Sequence, residues 1–211
     1  MSVVDGYLAA AEHAVALLGR PEVAEAWREP GALAGMSVGA LAGHLAHQIL
    51  SVDPALDAPP SPEPPITLLE HFARAEWVGA PLDGEVSTGI RAWAESVAAG
   101  GPSALHGSVG AALAAQRGRL AGRAGGDAFL MPQTGWALTF EDFLATRLLE
   151  LAVHSDDLAV SVGLRAPELP AEAFDPVLVL LARLAARRHG QTALLRALTR
   201  AERAPAAVNA I

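Results

Sequence analysis

The chain has 211 residues and no cysteine, which excludes disulfides, thiolate metal sites and a thiol nucleophile of the protein's own. Hydrophobic residues make up 52% against 18% charged, so a sizeable core is expected in one substantial domain rather than two. A net charge of -8, with Lys and Arg scattered in no basic tract, argues against nucleic-acid binding.

Helical periodicity dominates the chain. Residues 3 to 18 form a first amphipathic helix, closed by Gly19 and Pro21. Ser37 caps a second, from 38 to 52, which Asp53-Pro54 is expected to end. The segment APPSPEPP, from Ala58 to Pro65, is too rich in proline for a helix and reads as a stiff surface connection. Short helices are expected near 66 to 78 and 87 to 99. Pro102 opens another, which stops in the glycine-rich segment at Gly122, Gly125 and Gly126. FLMPQTGWALT is the one place for a hairpin or an extended loop.

Thr139 then caps a long helix, with Asp142 at its third position in the manner of a capping box. Pro170 and Pro176 bracket the start of a later helix through LVLLARLAARR, and a last one spans 191 to 201 before an extended tail. The expected fold class is all-α: a four-helix bundle over residues 1–165, with a short helical extension over 166–211 packed on the same domain. No stretch is long and apolar enough to suggest a membrane span or a leader segment, so a cytoplasmic protein is expected.

The long helix carries the most informative pattern. On a helical wheel Phe140, Phe143, Leu144, Leu151, Leu158 and Val162 share a stripe, while Arg147, Glu150, His154 and Asp157 fall roughly 20° to 80° to one side of it. Four ionisable groups at the margin of an apolar stripe need partners, because unpaired buried charge is costly. An ion-pair network, a metal ion and a wet cavity all satisfy that need, and helix geometry leaves the three open. Arg147 is expected to pair with Glu150 or Asp157 in a structural role.

A metal would require a further ligand from another helix. In SVGALAGHLAHQ, Val38, Leu41, Leu45, Ile49 and Val52 form the stripe; His44 lies about 100° from its centre, at the boundary, and His47 about 160° away, facing outward. His44 is therefore the better candidate. His13, His71, His106 and His189 lack partners at ligand spacing and are expected at the surface or in local hydrogen bonds. Trp136 is expected to pack in the core.

The stretch MSVGALAGHLA resembles the second-helix signature of the DinB-like superfamily, in the branch of mycothiol-dependent maleylpyruvate isomerases and related actinobacterial thiol transferases. RLLELAVHSDDLAVSVG is similar to that branch's Arg-x-x-Glu-x-x-x-His-x-x-Asp-Leu-x-x-x-x-Gly, through Arg147, Glu150, His154, Asp157, Leu158 and Gly163. GIRAWAESVAAGGPSAL and HGQTALLRALTRAERAP carry weaker similarity. The chain departs from the family where Gly35-Met36 and Asp156 replace tryptophans often found there, and its length falls short of the full isomerases, so maleylpyruvate is not assumed as substrate.

The resemblance implies a His44-Glu150-His154 triad holding a divalent ion, zinc by preference, and mycothiol as the thiol cosubstrate. It implies thiol transfer to a small electrophile, or its cis-trans isomerisation, in a monomer or homodimer that binds neither nucleic acid nor membrane. Asp157 would orient His154 or bind the thiol, and Arg91 matches a position that could hold an anionic substrate, with a surface salt bridge as its other reading. A zinc-dependent hydrolase, or a bundle in which the metal serves only the fold, are the alternatives.

Overall fold

A computed structural model of the chain describes residues 2–121, 126–131 and 134–211, and among these it is mostly helical. Helix α1 (Val3–Leu18) opens on a reciprocal cap: the Ser2 hydroxyl accepts from the Asp5 N–H, and the Asp5 carboxylate accepts from the Ser2 N–H. A single turn, α2 (Pro21–Glu25), follows. Helix α3 (Val38–Leu50) starts at Ser37, whose hydroxyl accepts from the Ala40 N–H. Asp53-Pro54 does not stop the chain as expected. A short α4 (Val52–Asp57) runs on past Leu50 with only Ser51 between, and Pro54 sits in its first turn, where no helical N–H is lost.

Beyond the proline-rich connection come α5 (Leu68–Arg74), α6 (Glu85–Ala98) and α7 (Gly101–Leu120). Of the glycines expected to end α7, Gly122 and Gly125 lie outside the described residues. The expected hairpin is present, with β1 (Ala128–Leu130) antiparallel to β2 (Ala137–Thr139) and Phe129 opposite Leu138; residues 132 and 133 at its tip lie outside the described residues. Thr139 accepts from the Asp142 N–H to begin α8 (Phe140–Ser161). Helix α9 (Ala171–His189) starts after Pro170 and contains Pro176, and α10 (Gln191–Thr199) precedes the tail.

Helices α1, α3, α7 and α8 pack on one another around a common core, in which Tyr7, Leu41, Leu45, Ile49, Leu120, Leu144, Leu148, Leu151 and Leu158 are fully buried. Helix α6 lies along α3, and α9 covers α1 and α8 through Ala173, Val177, Leu180 and Leu184. Helix α10 packs on α9 and buries no residue completely.

Two details fix α3 in place. Tyr7 Oη donates to Gln116 Oε1 at 2.7 Å, and Gln116 Nε2 donates to the Ile49 carbonyl at 2.9 Å and to Asp53 Oδ2 at 3.0 Å, so one buried amide ties α1, α7 and the end of α3 together. At Gly43 a Cβ would lie 2.3 Å from the Ala94 carbonyl oxygen of α6. Only glycine admits that approach, which brings the α6 backbone directly against the helix that carries His44. No helix among the described residues is long and apolar enough to cross a membrane.

Candidate metal centre

The register of α3 against α8 brings His44, Glu150 and His154 to one point. His44 Nε2 lies 3.1 Å from His154 Nε2 and 3.6 Å from Glu150 Oε2, and His154 Nε2 lies 3.0 Å from the same carboxylate oxygen. Three donor atoms from two helices thus face one another in a small triangle. With metal bonds of about 2.0–2.1 Å, ligand atoms around a tetrahedral ion stand roughly 3.3 Å apart, so the triangle has the dimensions of one tetrahedral face. The group can hold a metal ion. Its side chains keep 15, 11 and 13 % of their surface, so the site is largely buried but not sealed from solvent.

Asp157 completes the surroundings of His154: the imidazole Nδ1–H donates to Asp157 Oδ2 at 2.9 Å, which leaves Nε2 aimed at Glu150 and His44. The α8 helix itself is pinned by Ser161, whose hydroxyl donates to the Asp157 carbonyl at 2.6 Å and accepts from the Ala32 N–H at 2.8 Å. The opposite edge of His44 is less complete. Its Nδ1 is buried and has no hydrogen-bond partner among the described residues.

The charges follow from these contacts. Burial works against a charged His154, but its hydrogen bonds to Asp157 and Glu150 outweigh that and raise its pKa to about 9. Burial would raise Glu150, yet the bonds from His154 and His44 hold it well below the usual carboxylate range. His44 is pushed down by burial, with Glu150 opposing and His154 reinforcing. Without an ion, the triad is one anionic carboxylate, one protonated imidazole and one neutral imidazole sharing its edge.

His47 departs from expectation. Rather than facing outward it is half-buried against Trp93 of α6, ring centroids 4.2 Å apart and nearly perpendicular, and burial lowers its pKa to about 4. A wheel with one apolar stripe assumes one covered side; α3 is covered by α1, α6, α7 and α8 at once. Trp93 also meets His44, at 6.2 Å, and stays 37% exposed, so it forms a rim of the site. The signal in the sequence was the His44-x-x-His47 spacing, one helical turn.

His71 differs too. It is buried, and its Nδ1 accepts from Trp136 Nε1 at 3.1 Å across 65 residues of chain, a tertiary contact that no local pattern discloses. Trp136 is therefore half-buried with a polar role, while Arg74 stands over its ring. The other three histidines are as expected: His13 donates to the Ala9 carbonyl, His189 bonds the Asn209 carbonyl, and His106 is exposed.

Arg147 makes no direct ion pair with Glu150 or Asp157 among the described residues, although Glu150 is near enough for the two charges to favour each other. Those carboxylates are already turned to the imidazoles, and the guanidinium instead lies over Phe143 at 5.2 Å, with Nε donating to Thr146 Oγ1 at 3.2 Å. Arg91, on α6, donates to the Leu82 carbonyl at 2.7 Å and to Thr88 Oγ1 at 3.0 Å, and its side chain rests against Gly35; it makes no ion pair among the described residues and does not touch the triad. Comparison of the chain with family models, with curated proteins and with solved structures finds no match.

Proposed function

We propose that the protein is a metal-dependent enzyme of DinB-like four-helix-bundle type that brings a low-molecular-weight thiol, mycothiol or a close analogue, to a small electrophile, either transferring the sulfur or isomerising the electrophile. The observation that carries this reading is the triangle of 3.0, 3.1 and 3.6 Å edges formed by His154, His44 and Glu150, a face of two imidazoles and one carboxylate whose side chains keep a small exposed fraction. Three protein ligands with an open position belong to catalytic rather than structural sites.

A divalent ion bound there, zinc by preference for this donor set, supplies Lewis acidity that keeps a coordinated thiol ionised at neutral pH. The chain's own residues do the rest. Asp157 fixes the His154 tautomer with Nε2 unprotonated toward the ion, and Glu150 contributes the single negative charge that lets a thiolate approach without excess repulsion. Trp93 walls the α6 side of the site. With no cysteine in the chain, the sulfur nucleophile has to come from a cosubstrate, which accords with a reducing cytoplasmic setting.

Metal analysis of protein purified without chelator, followed by calorimetric titration with mycothiol, tests the reading. About one divalent ion per chain and saturable thiol binding that vanishes on metal removal are expected. Metal without thiol binding would favour a water nucleophile and a hydrolase; no metal would leave the triad an ion-pair network.

A further inference from the structure

The two imidazoles of the triad are held differently. His154 Nδ1–H donates to Asp157, which keeps Nε2 aimed at Glu150 and His44. His44 Nδ1 is buried and has no partner among the described residues. An imidazole that gives its Nε2 to a metal ion carries its proton on Nδ1, so in the loaded site this atom is a buried donor that requires an acceptor. Outer partners of metal-bound histidines hold the ring in place, and a donor left unsatisfied would weaken the ligand it belongs to.

The other buried side-chain atoms without a partner among the described residues are Gln48 Oε1 and Ser51 Oγ. His44, Gln48 and Ser51 stand at i, i+4 and i+7 and share one side of α3. Ser51 lies about 10 Å along the axis from His44, whereas Gln48 lies about 6 Å away, one turn on, where i and i+4 side chains meet. Gln48 is 2% exposed, and its Nε2 donates to the His44 carbonyl at 3.0 Å, so its amide already reaches back over the turn that carries the histidine. That bond also settles which end of the amide is nitrogen, because a carbonyl takes a donor. The oxygen is the free end: a buried acceptor one turn from a buried donor.

We propose that Gln48 is the positioning residue for His44. Its Oε1 accepts from the His44 Nδ1–H, directly or across one water molecule, and aims Nε2 into the triad as Asp157 does for His154. This rests on the metal-site reading and deepens it, for each histidine ligand then has its own outer partner. The partner on α8 is anionic and the one on α3 is neutral, which makes His154 the more basic ligand of the two.

Zinc-loaded protein labelled with 15N at histidine provides the test. The His44 Nδ1–H is expected as a slowly exchanging proton in 1H-15N spectra, told from that of His154 by its indifference to Asp157→Asn. In Gln48→Met, which keeps the length and drops the acceptor, that resonance is expected to shift upfield and exchange faster, and zinc affinity to fall about tenfold. In Gln48→Glu, which restores an acceptor, slow exchange and parental affinity are expected to return. An unmoved Nδ1–H resonance in Gln48→Met overturns the assignment. A loss of affinity that Gln48→Glu fails to restore also overturns it, being the mark of packing alone. Should Gln48→Met fail to fold, Gln48→Glu decides: its changed acceptor has to move the His44 Nδ1–H resonance and leave that of His154 in place, and an unmoved one overturns the assignment. Zinc held equally by the parent and Gln48→Met overturns this inference and leaves the metal reading standing, whereas a parent that takes no zinc overturns both.

Discussion

His44 Nε2 and His154 Nε2 stand 3.1 Å apart with their rings nearly perpendicular, although 110 residues separate them in the chain. Two imidazole nitrogens at that distance share at most one proton between them. A metal ion instead uses both lone pairs, and the Glu150 oxygen within 3.6 Å of each supplies charge.

Loss of a ligand should therefore cost metal and not fold. His44→Ala and Glu150→Gln are expected to lower Zn2+ affinity at least 100-fold in competition with a chromophoric chelator, while circular dichroism of the metal-free variants stays that of the parent. Unaltered affinity in both variants would remove the triad as a metal site.

Asp157 touches His154 and no other part of the triad. Asp157→Asn keeps the shape but weakens the grip on the Nδ1–H, and an outer partner of this kind is worth about 10- to 100-fold in metal affinity. Equilibrium dialysis of the variant against zinc measures it; a change under twofold would make Asp157 a bystander.

The metal-free protein carries a definite pH signature. His154 is held at about 9 when folded, against about 6.5 in an unfolded chain. Its stabilising contribution is thus complete below pH about 6.5 and disappears as the pH climbs through about 9. Zinc affinity runs in the opposite sense across the same window, because the ion displaces that proton. Urea unfolding of the chelated protein at pH 6.5 and 9.5, with His154→Gln as reference, reads the first effect; proton release on zinc addition reads the second.

Two glycine substitutions are expected to act with opposite sign. Gly43→Ala drives a methyl into the Ala94 carbonyl of α6 and should destabilise by about 1–3 kcal/mol, with a change in Trp93 fluorescence as the helices separate. Gly107→Ala, exposed on α7 with nothing within 4 Å of the new Cβ, should stabilise by roughly 0.5–1 kcal/mol. Denaturant midpoints for the pair test whether the α3–α6 approach is as close as described.

The site was legible where one helix carried it. Glu150, His154 and Asp157 repeat at three- and four-residue spacing beside an apolar stripe, so α8 alone presents them on one side, and His44 was found because it marks the boundary of the α3 stripe. His47, Trp93, His71 and Trp136 were not legible in their roles. Each depends on a partner from another element, and Arg147 was misread because its nearest charges in sequence are taken by imidazoles.

The sequence by itself determined the helical class, the caps at Ser37 and Thr139, the position of the hairpin and the inward side of α8, all of which follow from local periodicity and backbone preference. Only the tertiary structure decided that α3 meets α8 in the register that joins His44 to Glu150 and His154, and that α6 lies against Gly43 with Trp93 at the rim. Register between helices is set by side chains interlocking across elements distant in the chain, through the Tyr7–Gln116–Ile49 tie and the Gly43–Ala94 approach, and no window of a single helix contains that information.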